Sequence, residues 1–209
     1  MNASKSRLQL PKAIDQLIYA LQLLPGIGPK TARRLAFFLV NSPESVRNTL
    51  AQRILNLNSG LKRCSFCNVI SETDPCSICG GTQADPRQLI VVRSSLHLVS
   101  IEKTDTYNGY YFVLTDPEAD QKKLARQIKY LLNLQRNQNQ TPKLEIIFAF
   151  GGSFDEEALI IKLKEFINSN FNPKQVEFSR FAIGLQPGAD IDFVDAYTIK
   201  QSYLSRQKI

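Results

Sequence analysis

Apolar side chains recur at Ile14, Leu17, Ile18, Leu21 and Leu24. That spacing marks one face of a helix over residues 12–24. Pro25 ends it, and Gly26 and Gly28 predict a tight turn. A second helix starts at Pro29 or Lys30 and carries Ala32, Leu35, Ala36 and Leu39. Asn41-Ser42-Pro43 stops it, with Ser42 as N-cap and Pro43 as first position of a third helix. The third helix is expected to run through Leu50, Ile54 and Leu57. Residues 60–86 are rich in Cys, Gly, Ser and Asp, with too few apolar residues to fold unaided. From residue 87 the period changes. Residues 88–92 and 110–114 read as buried strands. Residues 118–134 read as a helix with Leu124, Ile128, Leu131 and Leu132 inward, followed by a polar loop over 136–142. A strand over 144–150, a helix over 155–168, a strand over 175–179 and a helix over 192–203 complete the pattern. Strands alternating with helices imply a mostly parallel sheet. The fold class is therefore α+β and multi-module: a helical N-terminal part, a small loop-built unit and a C-terminal α/β part.

Charge changes this picture by singling out the first part. Residues 1–63 hold ten Lys and Arg, among them Lys5, Arg7, Lys30, Arg33, Arg34, Arg47 and Arg53, against only Asp15 and Glu44. The whole chain carries a formal charge of +7, so the remainder is nearly neutral. A basic module joined to a neutral one points to a polyanion as partner, the bland alternative being a solvated surface. No apolar run reaches the length of a membrane span, and the N-terminus has no secretory pattern, so a cytoplasmic location is expected.

The loop-built unit has its own chemistry. Cys64, Cys67, Cys76 and Cys79 form C-x2-C-x8-C-x2-C and are all the cysteines of the protein. Two such knuckles can place four thiolates on a tetrahedron about 2.3 Å from Zn²⁺. Disulfides are the alternative, disfavoured in a reducing compartment. Four protein ligands leave no open position for substrate, so one zinc ion is expected to be structural.

The turn between the first two helices, Leu24-Pro25-Gly26-Ile27-Gly28-Pro29-Lys30, has the logic of a phosphate site. Gly26 and Gly28 let backbone N–H groups approach an oxygen, and the next helix presents its positive N-terminus to the same anion. Lys30 and Arg34 share a helix face, with Arg33 adding charge. Such contacts hold a DNA backbone without reading its sequence.

A hairpin of this kind, a four-cysteine site some 35 residues on and then an α/β domain resembles the bacterial RecR family. Leu89-Ile90-Val91-Val92, Ile101-Glu102-Lys103-Thr104 and Tyr107-x-Gly109-x-Tyr111 look like the start of that family's Toprim domain. The segment from Gly184-Leu185-x-Pro187-Gly188 through Asp190-Ile191-Asp192-Phe193-Val194-Asp195 looks like its C-terminal signature. The resemblance implies four parts: a helix-hairpin-helix DNA-binding domain (1–60), a zinc module (61–86), a Toprim-like domain (87–188) and a C-terminal oligomerisation segment (189–209). It also implies a ring-like homo-oligomer, typically a tetramer, that clamps DNA. With RecO, and often RecF, it would help load recombinase at single-stranded gaps. The chain departs from the family at Arg93-Ser94-Ser95, where acidic residues usually stand, and at Thr115-Asp116-Pro117-Glu118-Ala119-Asp120, which replaces a longer Gly-rich stretch.

Two rivals are a Toprim enzyme and a protein adaptor that binds DNA weakly. An enzyme needs clustered carboxylates for Mg²⁺. The candidates are Asp155, Glu156, Glu157, Asp190, Asp192 and Asp195, each also readable as a helix-start residue. Arg93 opposes a cation, and no phosphate-binding Walker loop exists. No catalysis is expected. His97 reads as structural or surface, and Tyr107, Tyr110 and Tyr111 as core or subunit interface.

Overall fold

The computed structural model describes residues 9–138, 141–182 and 184–206. Lys5 and Arg7 of the basic segment, and residues 139–140 of the polar loop, lie outside the described residues. The chain divides into two compact units, residues 1–59 and 60–209. Among the described residues no helix is long and apolar enough to cross a membrane.

Among its described residues the first unit has three helices: α1 (Lys12–Gln22), α2 (Pro29–Asn41) and α3 (Glu44–Leu55). Helices α1 and α2 pack together, and Ala32 and Ala36 are fully buried between them. Small residues on this face let the two backbones approach closely. Helix α1 is shorter than its apolar period suggests, because Pro25 and the turn before it withdraw Leu24, which is exposed. Ser42 is not the N-cap of α3. Its hydroxyl instead donates back to the Phe38 carbonyl at 2.7 Å, and Pro43 occupies the cap. Helix α3 buries none of its residues, leaving Val46, Leu50 and Ile54 open.

The second unit opens with a two-stranded antiparallel ribbon, β1 (Lys62–Arg63) and β2 (Ile70–Ser71), and the one-turn helix α4 (Ser77–Gly80). A parallel sheet follows, ordered β4-β3-β5-β6, from β3 (Asp85–Val92), β4 (Gly109–Val113), β5 (Leu144–Phe148) and β6 (Val176–Arg180). Connecting them are α5 (Ser95–Glu102), α6 (Gln121–Asn137) and α7 (Phe154–Asn170). The last helix is α8 (Ala196–Leu204).

The core is the sheet with α6 and α7 against it. Leu89, Val91, Phe112, Leu144 and Ile146 are inaccessible to solvent, as are Leu124, Ile128, Leu131, Leu163 and Ile167 of the helices. Continuous burial along β3 and β4 is what a covered parallel sheet requires. Tyr110 and Tyr111 are core residues, as expected. The segment read as one helix over 192–203 is two pieces: a 3₁₀ turn (Ile191–Phe193) capped by Asp190, then α8 capped by Asp195. Asp195 accepts from the Thr198 N–H and hydroxyl, so it and not Asp192 starts the helix.

Candidate nucleic-acid interface and metal centre

In the hairpin, Gly26 sits at φ +79°, a left-handed conformation that only glycine adopts cheaply. Gly28 is different. It is the N-cap of α2 in ordinary extended geometry, and a Cβ there would meet nothing within 4 Å. No clash within the fold enforces glycine at this position. Pro29 occupies the first helical position, where its missing N–H costs nothing, and no side chain caps the helix. Among the described residues the positive end of α2 is therefore uncapped.

Lys30, Arg33 and Arg34 stand on the first turns of α2 and, with Pro29 and Phe37, line one open cleft of about 540 Å³. All three cations are exposed, and among the described residues none joins an ion pair. Phe37 is not singled out by its sequence position, yet helical spacing puts it beside Lys30 and Arg33. Arg47 is engaged otherwise: its guanidinium donates to the Leu39 and Ser42 carbonyls and closes the C-terminus of α2. Part of the basic surplus thus holds the fold together.

In the second unit the four cysteine sulfurs lie within 4.8 Å of one another and all four residues are buried. Sulfurs at the corners of a tetrahedron with Zn–S of about 2.3 Å are about 3.8 Å apart, and the Cys67 and Cys76 sulfurs are 3.6 Å apart. Backbone N–H groups of Cys76 and Cys79 point at the Cys64 and Cys76 sulfurs at 3.4 and 3.5 Å. Hydrogen bonds from its neighbours, Cys67 first, pull the Cys76 thiol far below the usual thiol range. Cys67 and Cys79 are pushed up, by their hydrogen bonds to neighbouring sulfurs and by burial. A crowd of buried sulfurs resists more than one negative charge unless a cation sits among them, so the donor set fits zinc.

One residue that ties the zinc unit to the sheet carries no obvious mark in the sequence. Asn68 follows Cys67 at φ +63° and is buried. Its amide donates to the Val113 carbonyl at 3.0 Å and to Asp120 at 2.8 Å, and its carbonyl accepts from Lys123. The Cys67 carbonyl accepts the Val113 N–H at 2.8 Å. Asp120 also takes the N–H groups of Thr115 and Asp116 at 2.8 and 2.9 Å. Burial opposes its ionisation, but these hydrogen bonds outweigh burial and hold its carboxyl below the usual range. An asparagine after a knuckle, able to adopt a left-handed conformation, is the only signal in the sequence.

The carboxylates considered for Mg²⁺ are dispersed. Glu156 accepts from the Gly151 N–H at 3.1 Å, Glu157 pairs with Arg180 at 2.6 Å, and Asp190 and Asp195 are caps. Among the described residues the four cysteines are the only metal-type cluster. Arg93 ends up just beyond β3, with its Nη1 buried and without a hydrogen-bond partner among the described residues. It lines a cleft of about 540 Å³ with Asp116, Glu118, Asp155 and Lys162. His97 is exposed on the first turn of α5.

Residues 14–57 match the family described as RecR, helix-hairpin-helix, and residues 61–80 match the four-cysteine zinc finger domain of RecR. The Recombination protein RecR of Roseiflexus castenholzii is 32% identical over 200 residues, covering 96% of each chain. That of Ligilactobacillus salivarius is 32% identical over 203 residues, covering 97% of this chain and all of its own. That of Carboxydothermus hydrogenoformans is 32% identical over 194 residues, 93% of this chain and 96% of its own. With a helical hairpin, a zinc finger and a four-stranded parallel sheet in that order, this chain belongs to the RecR family of recombination proteins.

Proposed function

We propose that this chain is a DNA-binding recombination mediator without catalytic activity, acting as a ring-like clamp. The observation that carries the reading is the bare N-terminus of α2. There Gly28 leaves room for an oxygen, and Lys30, Arg33 and Arg34 are free of ion pairs among the described residues. In this reading the N–H group of Gly28 and those of the first turn of α2, at Lys30 and Thr31, receive a backbone phosphate and the three cations hold its neighbours. Cys64, Cys67, Cys76 and Cys79 each supply a thiolate to one zinc ion, which organises the unit and performs no step. Arg93 and the scattered carboxylates speak against Mg²⁺ chemistry in the second unit.

Assembly as a homo-oligomer, a tetramer by the family's habit, is supported by apolar surface that this chain alone leaves open. Helix α3 exposes Val46, Leu50, Ile54 and Leu55, and the C-terminal segment exposes Ile191, Phe193, Tyr203 and Leu204. RecO-type and RecF-type proteins are the proposed partners in recombinase loading at gaps, in the cytoplasm. The test is binding to gapped duplex by the wild type and by Lys30→Ala/Arg34→Ala at low and at physiological salt. Binding that falls steeply with salt and is weakened in the variant supports the clamp. Weak binding by both proteins would point to an adaptor.

A further inference from the structure

The near-neutral charge of the second unit hides a concentration of positive charge on one helix. Helix α6 carries Lys122, Lys123, Arg126, Lys129 and Arg136 and not one acid. Four of the five, Lys122, Arg126, Lys129 and Arg136, recur with Asn133 at intervals of four, three, four and three residues. That period lays them along a single stripe. The opposite face of the helix is fixed to the core through Leu124, Gln127, Ile128, Leu131 and Leu132. All four striped cations are exposed, and none joins an ion pair among the described residues. An ordinary solvated helix face mixes signs at these spacings, because like charges three and four residues apart repel. Here the repulsion has no compensating acid on the helix.

The stripe also borders a groove. Arg126, Lys129, Asn133 and Arg136 form one wall of a cleft of about 430 Å³, and Phe171 and Asn172 stand on the other. The facing segment, residues 168–175, contains no acid and contributes Lys174. A row of guanidinium and ammonium groups on one helix, beside amides and one aromatic ring, is chemistry for phosphates with an adjoining sugar or base.

We infer that the Lys122–Arg126–Lys129–Arg136 face of α6 is a second nucleic-acid surface, which binds the sugar-phosphate backbone independently of sequence. It deepens the DNA-binding reading above but stands on separate residues. The test uses the full-length, zinc-loaded protein on gapped duplex DNA, with affinity measured across a salt series. Three variants are compared: Arg126→Gln/Lys129→Gln/Arg136→Gln, the hairpin variant Lys30→Ala/Arg34→Ala, and a control, Lys103→Gln/Lys143→Gln/Lys164→Gln, that removes the same charge elsewhere. Each lost phosphate contact lowers the slope of log affinity against log salt by about 0.9. The stripe variant is expected to lose about two to three units of slope and at least about tenfold in affinity near physiological salt, the control far less. Bound DNA is also expected to protect Lys122 and Lys129 of the wild type from acetylation, a readout that needs no variant. An unchanged slope with unprotected lysines overturns the inference, as does an equal loss in the control. If the stripe variant alone loses binding, the hairpin reading falls and the stripe stands. If only the hairpin variant loses it, the reverse holds, and if the wild type binds no DNA both fall.

Discussion

Two glycines two positions apart separate the demands of folding from those of binding. Gly26 needs its left-handed backbone, so Gly26→Ala is expected to destabilise the first unit by about 1 kcal/mol. Gly28 is not held in a left-handed conformation, and Gly28→Ala is expected to cost no more than the roughly 1 kcal/mol of a poorer N-cap while weakening DNA binding well beyond that, because the new methyl group sits where a phosphate oxygen would come. Equal loss of binding and of stability in Gly28→Ala would deny it a direct contact. Asn68 is the comparable residue of the second unit. Asn68→Ala removes the donor to the Asp120 Oδ1 and to the Val113 carbonyl, both in the buried join, and should cost about 2–3 kcal/mol in urea unfolding. Asp120 makes that contribution depend on pH. Its folded pKa lies below the unfolded value of about 3.9. Its stabilisation is therefore complete above that value and drains away as pH falls through the folded one. The stability gap between wild type and Asp120→Asn is expected to be widest near neutrality and to narrow in acid; a gap that is constant across pH would assign the loss to packing.

Helices and strands are legible where one physical pattern dominates. The inward residues of α6, Leu124, Ile128, Leu131 and Leu132, are all buried as their period predicts. Helix α5 escapes the sequence pattern, and its composition explains why: Leu96, Leu98, Val99 and Ile101 crowd a single short run with no polar face to set a period, and only Leu98 is fully buried. The capping of α3 differs from expectation because Ser-Pro fits an N-cap by type, while the hydroxyl of Ser42 finds the nearer Phe38 carbonyl. The Tyr107-x-Gly109-x-Tyr111 pattern gains a reason from packing. Tyr107 folds over the start of β4, where its hydroxyl donates to the Tyr110 carbonyl at 2.7 Å and accepts the Ile90 N–H at 3.1 Å. A Cβ on Gly109 would lie 2.3 Å from that hydroxyl and 2.8 Å from the Gln88 carbonyl. Gly109→Ala is accordingly expected to lower stability by about 2–3 kcal/mol, read from its urea midpoint. A neutral outcome would mean that the strand start shifts freely.

Across the whole molecule, the zinc spacing and the hairpin can be read from the chain because each is a local motif whose chemistry is set by a few neighbours. The docking of the zinc unit through Asn68 and Asp120, 52 residues apart, requires three dimensions. The metal belongs to the stability of the second unit, so Cys64→Ser or Cys76→Ser is expected to lose zinc and to melt earlier. A metal-free variant that melts like the wild type would refute a structural ion. The first unit holds no cysteine, and its helices are expected to survive chelation. The clamp reading rests above all on the bare N-terminus of α2. The measurement that tests it most directly is affinity for gapped duplex against salt, for the wild type and for Lys30→Ala/Arg34→Ala. The expected result is a steep fall with salt in the wild type, and in the variant a weaker affinity with a slope shallower by about 1.8. Equal affinity and equal slope in the two proteins would contradict it.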